Sequence, residues 1–371
     1  MNATTSALPV KVLVLYSELA PYVLACLERL IADHGVEVHL VRWPVNKEAP
    51  FELRFGPGIH LYERSELDDE NLLSHALAID PHVVFASGWM DKGYLRVCRV
   101  MHGMGKPTVM CSDTAWRGDM RQWIASMGAR FVFPGTFSHA WVTGADQHTY
   151  AEKLGFAPEH IRTGFYSADI DRFLPVGERL LKERKAHWPH RFLCVARYIP
   201  TKQQQLLCDA FAELCNEGTA RDWELHLAGT GEDFEQVTGS ESGRHPRIKH
   251  HGFVQPDAMP ELLQQCGVFV LPSSHEPWGV VVHEQACSAF PLLLSDAIGA
   301  RERFLEPGAN GAVFASENLD ELREALRSFI IREDADLHRM GVRSLELGAQ
   351  WGPEQWAATA MSFIAAPHAE A

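Results

Sequence analysis

The chain has 371 residues, of which 46% are hydrophobic and 22% are charged. These values are typical of a globular protein that is long enough for two domains, each with its own core. The formal net charge of −14 at pH 7 argues against a general nucleic-acid binder, because the neutralisation of phosphates requires a basic surface.

Strand-like and helix-like segments alternate through the first half of the chain. The predicted strands are Val10–Tyr16, Val36–Val41, Val83–Ala86 and Thr108–Cys111, and the predicted helices include Tyr22–Asp33 and Tyr94–His102. Such alternation implies parallel strands that are joined by crossover helices, so the first half is predicted to be a layered α/β domain.

The second half repeats the same pattern. The predicted strands are Phe192–Ala196, Leu225–Ala228, Val268–Leu271 and Leu292–Ser295. The linker between the halves is predicted near Asp171–Pro175, and Asp169-Ile-Asp171 is interpreted as a turn there. Trp351–Trp356 contains a Gly-Pro break, and this pattern is typical of the start of a last helix.

The segment from Ser273 to Glu284 carries two carboxylates directly after a strand. Glu276 falls in a loop, and Glu284 falls inside the helix that is predicted to begin near Trp278 or Gly279. The unpaired N–H groups of a helix start and the positive end of its dipole suit a phosphate. Two carboxylates beside such a site indicate binding of neutral hydroxyls next to the phosphate, and a nucleotide sugar presents both groups.

Several motifs that follow one another in order resemble the donor-binding half of retaining glycosyltransferases of family 4. The earlier motifs are Arg197 and Lys202 after a strand, Gly229-Thr-Gly231, and His251-Gly-Phe-Val254. The later motifs are Leu271-Pro-Ser-Ser, Glu276-Pro-Trp-Gly, Glu284-Gln-Ala-Cys, Pro291, Ser295-Asp, Gly299-Ala and Gly308-Ala-Asn-Gly311. The resemblance covers about residues 190–312 and is weak before residue 140, judged by motif matching.

The resemblance implies an α/β protein of GT-B architecture, with two Rossmann-like domains that face each other across a cleft. Residues 1–172 would form an acceptor-binding domain, with a C-terminal helix over residues 352–371 packing back on it. Residues 173–351 would form the domain that binds the nucleotide-sugar donor.

The resemblance also assigns roles to charged residues. Arg197 and Lys202 would neutralise the charge that builds on the leaving nucleoside diphosphate, a role that metals play in other transferases. Glu276 would hold the hydroxyls of the transferred sugar, and Glu284 would accept hydrogen bonds from the ribose. We expect front-face substitution, in which the acceptor oxygen enters on the side that the phosphate leaves, without a metal or another cofactor.

Further donor-binding residues follow from the same motifs. The backbone N–H groups of Trp278, Gly279 and Val280 would bind the phosphate and sugar. Gly229 ends a strand of the donor-binding half and is assigned to the same site. Phe253 and Val254 would form the edge of the base pocket, and ordinary core packing is the alternative for both.

The first domain departs from the family pattern. The glycine-rich loop after the first strand is replaced by Ser17–Pro21, and Asp113 stands where many members carry a histidine. Asp113 either binds a sugar hydroxyl or takes the acceptor proton, or it caps a helix that begins around Ala115. Trp89 and Trp116 are candidates for an acceptor groove, with core packing as the alternative.

The composition predicts a cytoplasmic protein. The eight cysteines include no Cys-x-x-Cys pair, which indicates reduced thiols and neither a disulfide framework nor a zinc site. No signal peptide is visible, and no apolar run approaches the ~20 residues of a membrane span. A basic run over residues 179–191 would suit contact with the inner face of the membrane, and a solvated helix is its alternative.

We therefore predict a glycosyltransferase that moves a sugar from a nucleotide-sugar donor to a hydroxyl of a glycan, a lipid-linked glycan or another small acceptor. The expected setting is bacterial cell-surface polysaccharide biosynthesis. Two alternatives stay open. A nucleotide-sugar epimerase of the same fold would turn over the donor without an acceptor, and a sugar-binding or scaffold protein would have lost catalysis.

Overall fold

The computed structural model describes residues 9–44 and 50–365. The chain divides into two compact units. Of the described residues, 9–44, 53–167 and 351–365 belong to the first unit, and 50–52 and 168–350 belong to the second.

The first unit is built around a parallel sheet of seven strands in the order β3-β2-β1-β4-β5-β6-β7. Its strands are β1 (Lys11–Tyr16), β2 (Glu37–Arg42), β3 (Ile59–Glu63), β4 (Val83–Ser87), β5 (Thr108–Ser112), β6 (His139–Val142) and β7 (Ile161–Arg162). The helices between them are α1 (Pro21–His34), α2 (Asp69–Ile79), α3 (Lys92–Gly103), α4 (Met120–Val132) and α5 (Ala145–Leu154).

The second unit contains a parallel sheet of six strands in the order β10-β9-β8-β11-β12-β13. The strands are β8 (Arg191–Val195), β9 (Glu224–Ala228), β10 (Ile248–His250), β11 (Val268–Leu271), β12 (Leu292–Ser295) and β13 (Gly311–Phe314). The helices are α6 (Ile170–Glu183), α7 (Gln204–Asn216), α8 (Phe234–Gly239), α9 (Met259–Gln265), α10 (Val280–Cys287), α11 (Arg301–Phe304), α12 (Leu319–Ile330) and α13 (Asp334–Gly348).

The central strands, such as β4, β5, β11 and β12, are mostly apolar runs, as is typical of parallel sheets that are covered on both faces. In β11 and β12 every residue is buried. All eight strands and both helices predicted above are confirmed, with ends that differ by one or two residues. The α/β class and the two Rossmann-like domains are therefore confirmed.

A last helix, α14 (Pro353–Ala365), packs in the first unit. Trp356, Ala357, Ala360 and Phe363 join the core on the face of the sheet that α1 also covers. Residues 366–371, which the sequence assigned to this helix, lie outside the described residues.

The predicted linker at Asp171–Pro175 is wrong, because these residues lie inside α6. Proline lacks the N–H that would donate to the carbonyl four residues back, so Pro175 removes one hydrogen bond near the helix start. Phe173, Val176 and Leu180 are buried along one face of the helix, and their burial offsets this loss.

Candidate functional site

The second sheet brings two loops together at β8 and β11. These strands are adjacent and parallel, so the loops after their carboxyl ends lie side by side. Strand order reverses direction there, and ligands of open α/β sheets bind at such a point. The loop after β8 carries Arg197 and Lys202, and the loop after β11 carries Glu276. A hydrogen bond of 2.8 Å from the N–H of Ser274 to the carbonyl of Thr201 joins the loops.

Lys202 and Glu276 form an ion pair across these loops. The Lys202 ammonium donates a hydrogen bond to Oε2 of Glu276. Their side chains are only 12% and 14% exposed, respectively, so the pair is poorly solvated and each charge depends on the other. The structure thus brings together the cation assigned to the phosphate and the carboxylate assigned to the sugar.

The main chain around Glu276 is held by the loop after β12. The N–H of Glu276 donates to the carbonyl of Ala297 at 3.3 Å, and the N–H of Gly299 donates to the carbonyl of Glu276 at 3.0 Å. A Cβ at Gly299 would lie 2.1 Å from the carbonyl oxygen of Pro277. The two loops can approach this closely only because the residue is glycine.

Helix α10 begins beside Glu276. Gly279 has φ of +89°, a left-handed conformation that cannot continue a helix, so the helix begins at Val280 and the predicted start at Trp278 or Gly279 is one or two residues early. Trp278 and Val280 are almost fully buried, so their side chains pack inside the second unit. The first turn of any helix leaves N–H groups without intrahelical acceptors.

Glu284 lies in the second turn of α10. Its side chain is partly buried between two buried neighbours, His283 and Gln285. Burial raises the pKa of Glu284 to about 7, with Arg172 opposing and Asp169 reinforcing the rise. A carboxylate in this place is therefore poised between its neutral and ionised forms near neutral pH.

Gly229 has a structural role of its own. It adopts φ of +141°, and a Cβ there would lie 1.9 Å from the carbonyl oxygen of Ala196. Its N–H donates to the carbonyl of Gly252 at 2.7 Å. The glycine allows the loop after β9 to pass against the loop after β8, which leads to Arg197.

Phe253 and Val254 lie in the connection between β10 and α9, and both are partly exposed. They are absent from the buried core of the described residues, so core packing does not describe them. The ring of Phe51, grouped with the second unit, lies 5.4 Å from that of Phe253 in an edge-on arrangement. Phe51 is a residue that the sequence did not single out.

Asp113 follows β5 in the first unit. The phenol of Tyr166 donates to its Oδ2 at 3.3 Å, and Gln147 donates to its carbonyl at 3.2 Å. The alternative that Asp113 caps a helix is wrong, because α4 begins later and Asp119 caps it, accepting from the N–H of Gln122 at 2.9 Å. Asp119 prevails because it stands directly before the helix.

The first unit places Trp89 and Trp116 in one aromatic cluster. Trp89 lies 6.0 Å from Tyr150, and Trp116 lies 5.5 Å from it. Trp116 also meets Trp123 edge-on at 5.3 Å. Both predicted acceptor residues pack partly against the core, so each exposes only part of its ring.

Two residues near the site were not assigned to it from the sequence. Asp169 and Arg172 reach the surroundings of Glu284, although they lie more than a hundred residues before it. The Asp-x-Asp spacing at 169–171 is visible in the sequence, but only the packing of α6 against α10 places Asp169 near Glu284.

The basic run over residues 179–191 does not form one basic surface. Arg184 is buried and donates to the carbonyls of Leu263 and Cys266, and burial lowers its pKa to about 10. Arg191 pairs with Glu224 at 2.6 Å. Two of its cations, Arg184 and Arg191, therefore bind groups of the second unit, whereas Arg179, Lys182 and Lys185 are exposed.

The following two statements hold for residues 9–44 and 50–365. No group of three or more His, Cys, Asp or Glu side chains there has the arrangement of a metal site. No helix in these ranges is both long and apolar enough to span a bilayer.

The second unit is similar to known glycosyltransferases. Residues 181–344 match the family of glycosyl transferases group 1. The chain is 29% identical to an alpha-D-kanosaminyltransferase of Streptomyces kanamyceticus over 42% of this chain and 40% of that protein. It is 25% identical to a lipopolysaccharide 1,6-galactosyltransferase of Salmonella typhimurium over 48% and 51%, respectively. The chain thus matches only about two fifths to half of the length of these relatives.

The likeness to solved structures extends over nearly the whole chain. The structure of Anabaena Alr3699/HepE in complex with UDP-glucose superposes with a TM-score of 0.69, covering 95% of this chain and 99% of that one at 17% identity. At this identity the likeness shows the fold alone, and it confirms the predicted GT-B class.

Proposed function

We propose that the chain is a retaining glycosyltransferase, because residues 181–344 match the family of glycosyl transferases group 1. It takes a sugar from a nucleotide-sugar donor and transfers it to a hydroxyl of a glycan, a lipid-linked glycan or another small acceptor. The proposed setting is cell-surface polysaccharide biosynthesis.

One observation carries this proposal: the nearly buried Lys202–Glu276 pair beside the start of α10. An entering diphosphate offers Lys202 a second anion, and the helix start adds N–H donors. Glu276 is then available to accept hydrogen bonds from sugar hydroxyls. Glu284 is the proposed acceptor for the ribose hydroxyls, since it lies one turn further along the same helix.

In the proposed reaction the bond between the anomeric carbon and the phosphate oxygen breaks while the acceptor oxygen bonds to the same face. The acceptor proton passes to the leaving phosphate or to a base. Negative charge grows on the diphosphate in the transition state. Arg197 and Lys202 would stabilise that charge, which is often the largest catalytic contribution.

One solved neighbour supports a UDP-sugar as the first donor to test, and one relative supports a hexose as the sugar. The solved neighbour is in complex with UDP-glucose, and one relative is named a galactosyltransferase. A panel of nucleotide sugars should be screened for thermal stabilisation, because a ligand that binds the folded state raises its apparent stability.

The stabilising donor should then be incubated with and without a mixture of sugar acceptors. Donor consumption that requires an acceptor and yields the retained anomer supports the proposal. Conversion of the donor to an epimer without an acceptor would instead establish the epimerase. Stabilisation without any turnover would favour a sugar-binding protein.

A further inference from the structure

Helix α4 of the first unit has its apolar side turned outward. The structure describes twelve large hydrophobic side chains as exposed, and six of them lie in this one helix. They are Met120, Trp123, Ile124, Met127, Phe131 and Val132. Phe131 is 90% exposed and Met127 is 67% exposed, so these side chains are not merely at the edge of a core.

The inward face of α4 is polar or small. Gln122, Ser126 and Ala129 are its buried residues. The Gln122 side chain accepts from the N–H of Arg117 at 2.7 Å and donates to the carbonyl of Ala115 at 2.7 Å. A surface helix of a protein in water has the opposite arrangement, with its apolar stripe facing the core.

The exposed stripe is narrow and continuous. Met120, Trp123, Ile124, Met127 and Phe131 follow the i, i+3, i+4, i+7 spacing and occupy an arc of about 100° on the helix. Met, Trp, Ile and Phe side chains along one such arc are typical of a helix that lies in the plane of a membrane interface.

Basic residues flank the stripe. Arg121 and Arg130 stand on opposite sides of it, and Arg117 lies just before the helix. The Lys153 ammonium sits over the rings of Trp116 and Trp123 at 4.7 and 5.4 Å. From Thr114 to Thr136 the chain has three arginines and one acid, Asp119, whereas the whole chain has a net charge of −14.

We propose that the outward face of α4 docks on an anionic lipid surface, with the apolar stripe in the interface and the arginines at the headgroups. The local positive charge favours a negatively charged bilayer over a second copy of this strongly acidic chain. This surface is distinct from the basic run of residues 179–191, and the proposal does not rest on the proposed function.

The test is co-sedimentation of the full chain with vesicles. The vesicles are phosphatidylcholine alone, or phosphatidylcholine with about 30 mol% phosphatidylglycerol. We expect binding to the anionic vesicles, at least about tenfold weaker partition to the neutral ones, and weakening by salt. The variant Trp123→Ser/Ile124→Ser/Phe131→Ser should lower partition by at least about tenfold.

Matched controls distinguish this face from others. Leu77→Ser/Met104→Ser/Ile331→Ser removes three exposed apolar side chains elsewhere and should leave partition unchanged. Arg117→Gln/Arg121→Gln/Arg130→Gln should lower binding to anionic vesicles about tenfold or more. By contrast, Arg179→Gln/Lys182→Gln/Lys185→Gln, in the earlier basic run, should have no effect.

Circular dichroism and thermal unfolding check that each variant is folded, and Phe131→Leu, which keeps an apolar side chain, should bind like the parent. Equal partition of the parent and the α4 serine variant would overturn the proposal, as would no binding by the parent. Light scattering is measured in parallel. A dimer that the serine variant abolishes, without vesicle binding, would assign the face to a second copy and also overturn it.

Discussion

Lys202 and Glu276 have two roles, since they compensate each other's charge and would also bind the donor. Each charge is largely removed from water, so in the absence of ligand each one compensates the other. In the proposed complex the ammonium faces phosphate oxygens and the carboxylate faces sugar hydroxyls. The pair thus keeps the empty site stable and holds both groups near the positions that the reaction needs.

Replacement of one partner should therefore affect stability as well as turnover. We expect Lys202→Met to lower the free energy of unfolding by about 2–4 kcal/mol, because the Glu276 carboxylate is left in a poorly solvated place. The double variant Lys202→Met/Glu276→Gln should regain most of this loss in urea unfolding. Turnover should fall about a hundredfold or more in both variants, and a double variant as unstable as the single one would contradict the pairing.

Glu284 responds to pH for a physical reason that its sequence position does not reveal. Burial disfavours the ionised carboxylate and raises its pKa to about 7 from its usual value near 4.5. A group that binds its proton more tightly when folded contributes most to stability below its unfolded pKa. Its contribution then falls as pH rises from about 4.5 to about 7.

Ligand affinity should change in the opposite direction. Ribose hydroxyls donate to the ionised carboxylate, which is about a tenth populated at about pH 6 and dominant at about pH 8. We expect donor affinity, measured by calorimetry, to rise about fivefold to tenfold over this range. A nucleotide sugar is the right probe, because its diphosphate does not titrate there.

Glu284→Gln should abolish this rise and weaken binding at about pH 8. Glu261→Gln, in the neighbouring helix α9, is the control and should keep the slope of the parent. If the donor affinity of the parent did not change between about pH 6 and about pH 8, the assignment of the Glu284 carboxylate to the donor site would be wrong.

At the level of elements, the start of α10 depends on a single glycine. Gly279 adopts φ of +89°, and a Cβ there would approach Cγ of Glu276 to 2.9 Å. The same residue therefore ends the loop and leaves room for the carboxylate. A substitution should strain the backbone and move Glu276 as well.

Gly279→Ala should lower donor turnover about tenfold or more and the free energy of unfolding by about 1–2 kcal/mol. Gly308→Ala is a matched control, because Gly308 has φ of +83° with nothing within 4 Å of its would-be Cβ. The Gly308→Ala variant should lose a similar free energy of unfolding but should turn over the donor at the rate of the parent. Equal loss of turnover in both variants would indicate general strain rather than displacement of Glu276.

The strands and the donor loops could be predicted because their signals are local. β11 is a run of four apolar residues, and Glu276, Gly279 and Glu284 follow it within thirteen positions. Local patterns did not predict that Asp171–Pro175 lies inside α6. Pro175 is tolerated there because of tertiary packing, which the sequence does not display. The contact of Phe51 with Phe253 joins positions about two hundred residues apart, and no local pattern reports it.

For α4, the hydrophobic periodicity alone would indicate the wrong face as buried. The spacing of Met120, Trp123, Ile124 and Met127 is that of a helix whose apolar face is buried. Only the structure shows that this face is exposed. Sequence patterning therefore indicates that a helix has two faces but not which face meets the protein.

For the whole molecule, the C-terminal helix closes the core of the first unit. Trp356 of α14 lies 4.7 Å from Trp141 of β6 and donates from Nε1 to the carbonyl of Phe165 at 2.6 Å. The ring of Phe363 also packs against Trp141, with 5.5 Å between the ring centroids. The first unit thus needs the last residues of the described chain, and the second unit has its own sheet and core.

Trp356→Ala should therefore destabilise one unit selectively. We expect a loss of about 3–5 kcal/mol, because a large buried ring and its hydrogen bond are removed. Hydrogen exchange should quicken in α1, α14 and β6, while β8, β9 and β11 stay protected and nucleotide affinity stays within about twofold. The control Gln355→Ala, at the exposed neighbouring position, should change neither hydrogen exchange nor nucleotide affinity.

Hydrogen exchange that rises equally in both sheets would contradict this prediction. It would mean that the two units unfold together, so that loss of the first core also exposes the second sheet.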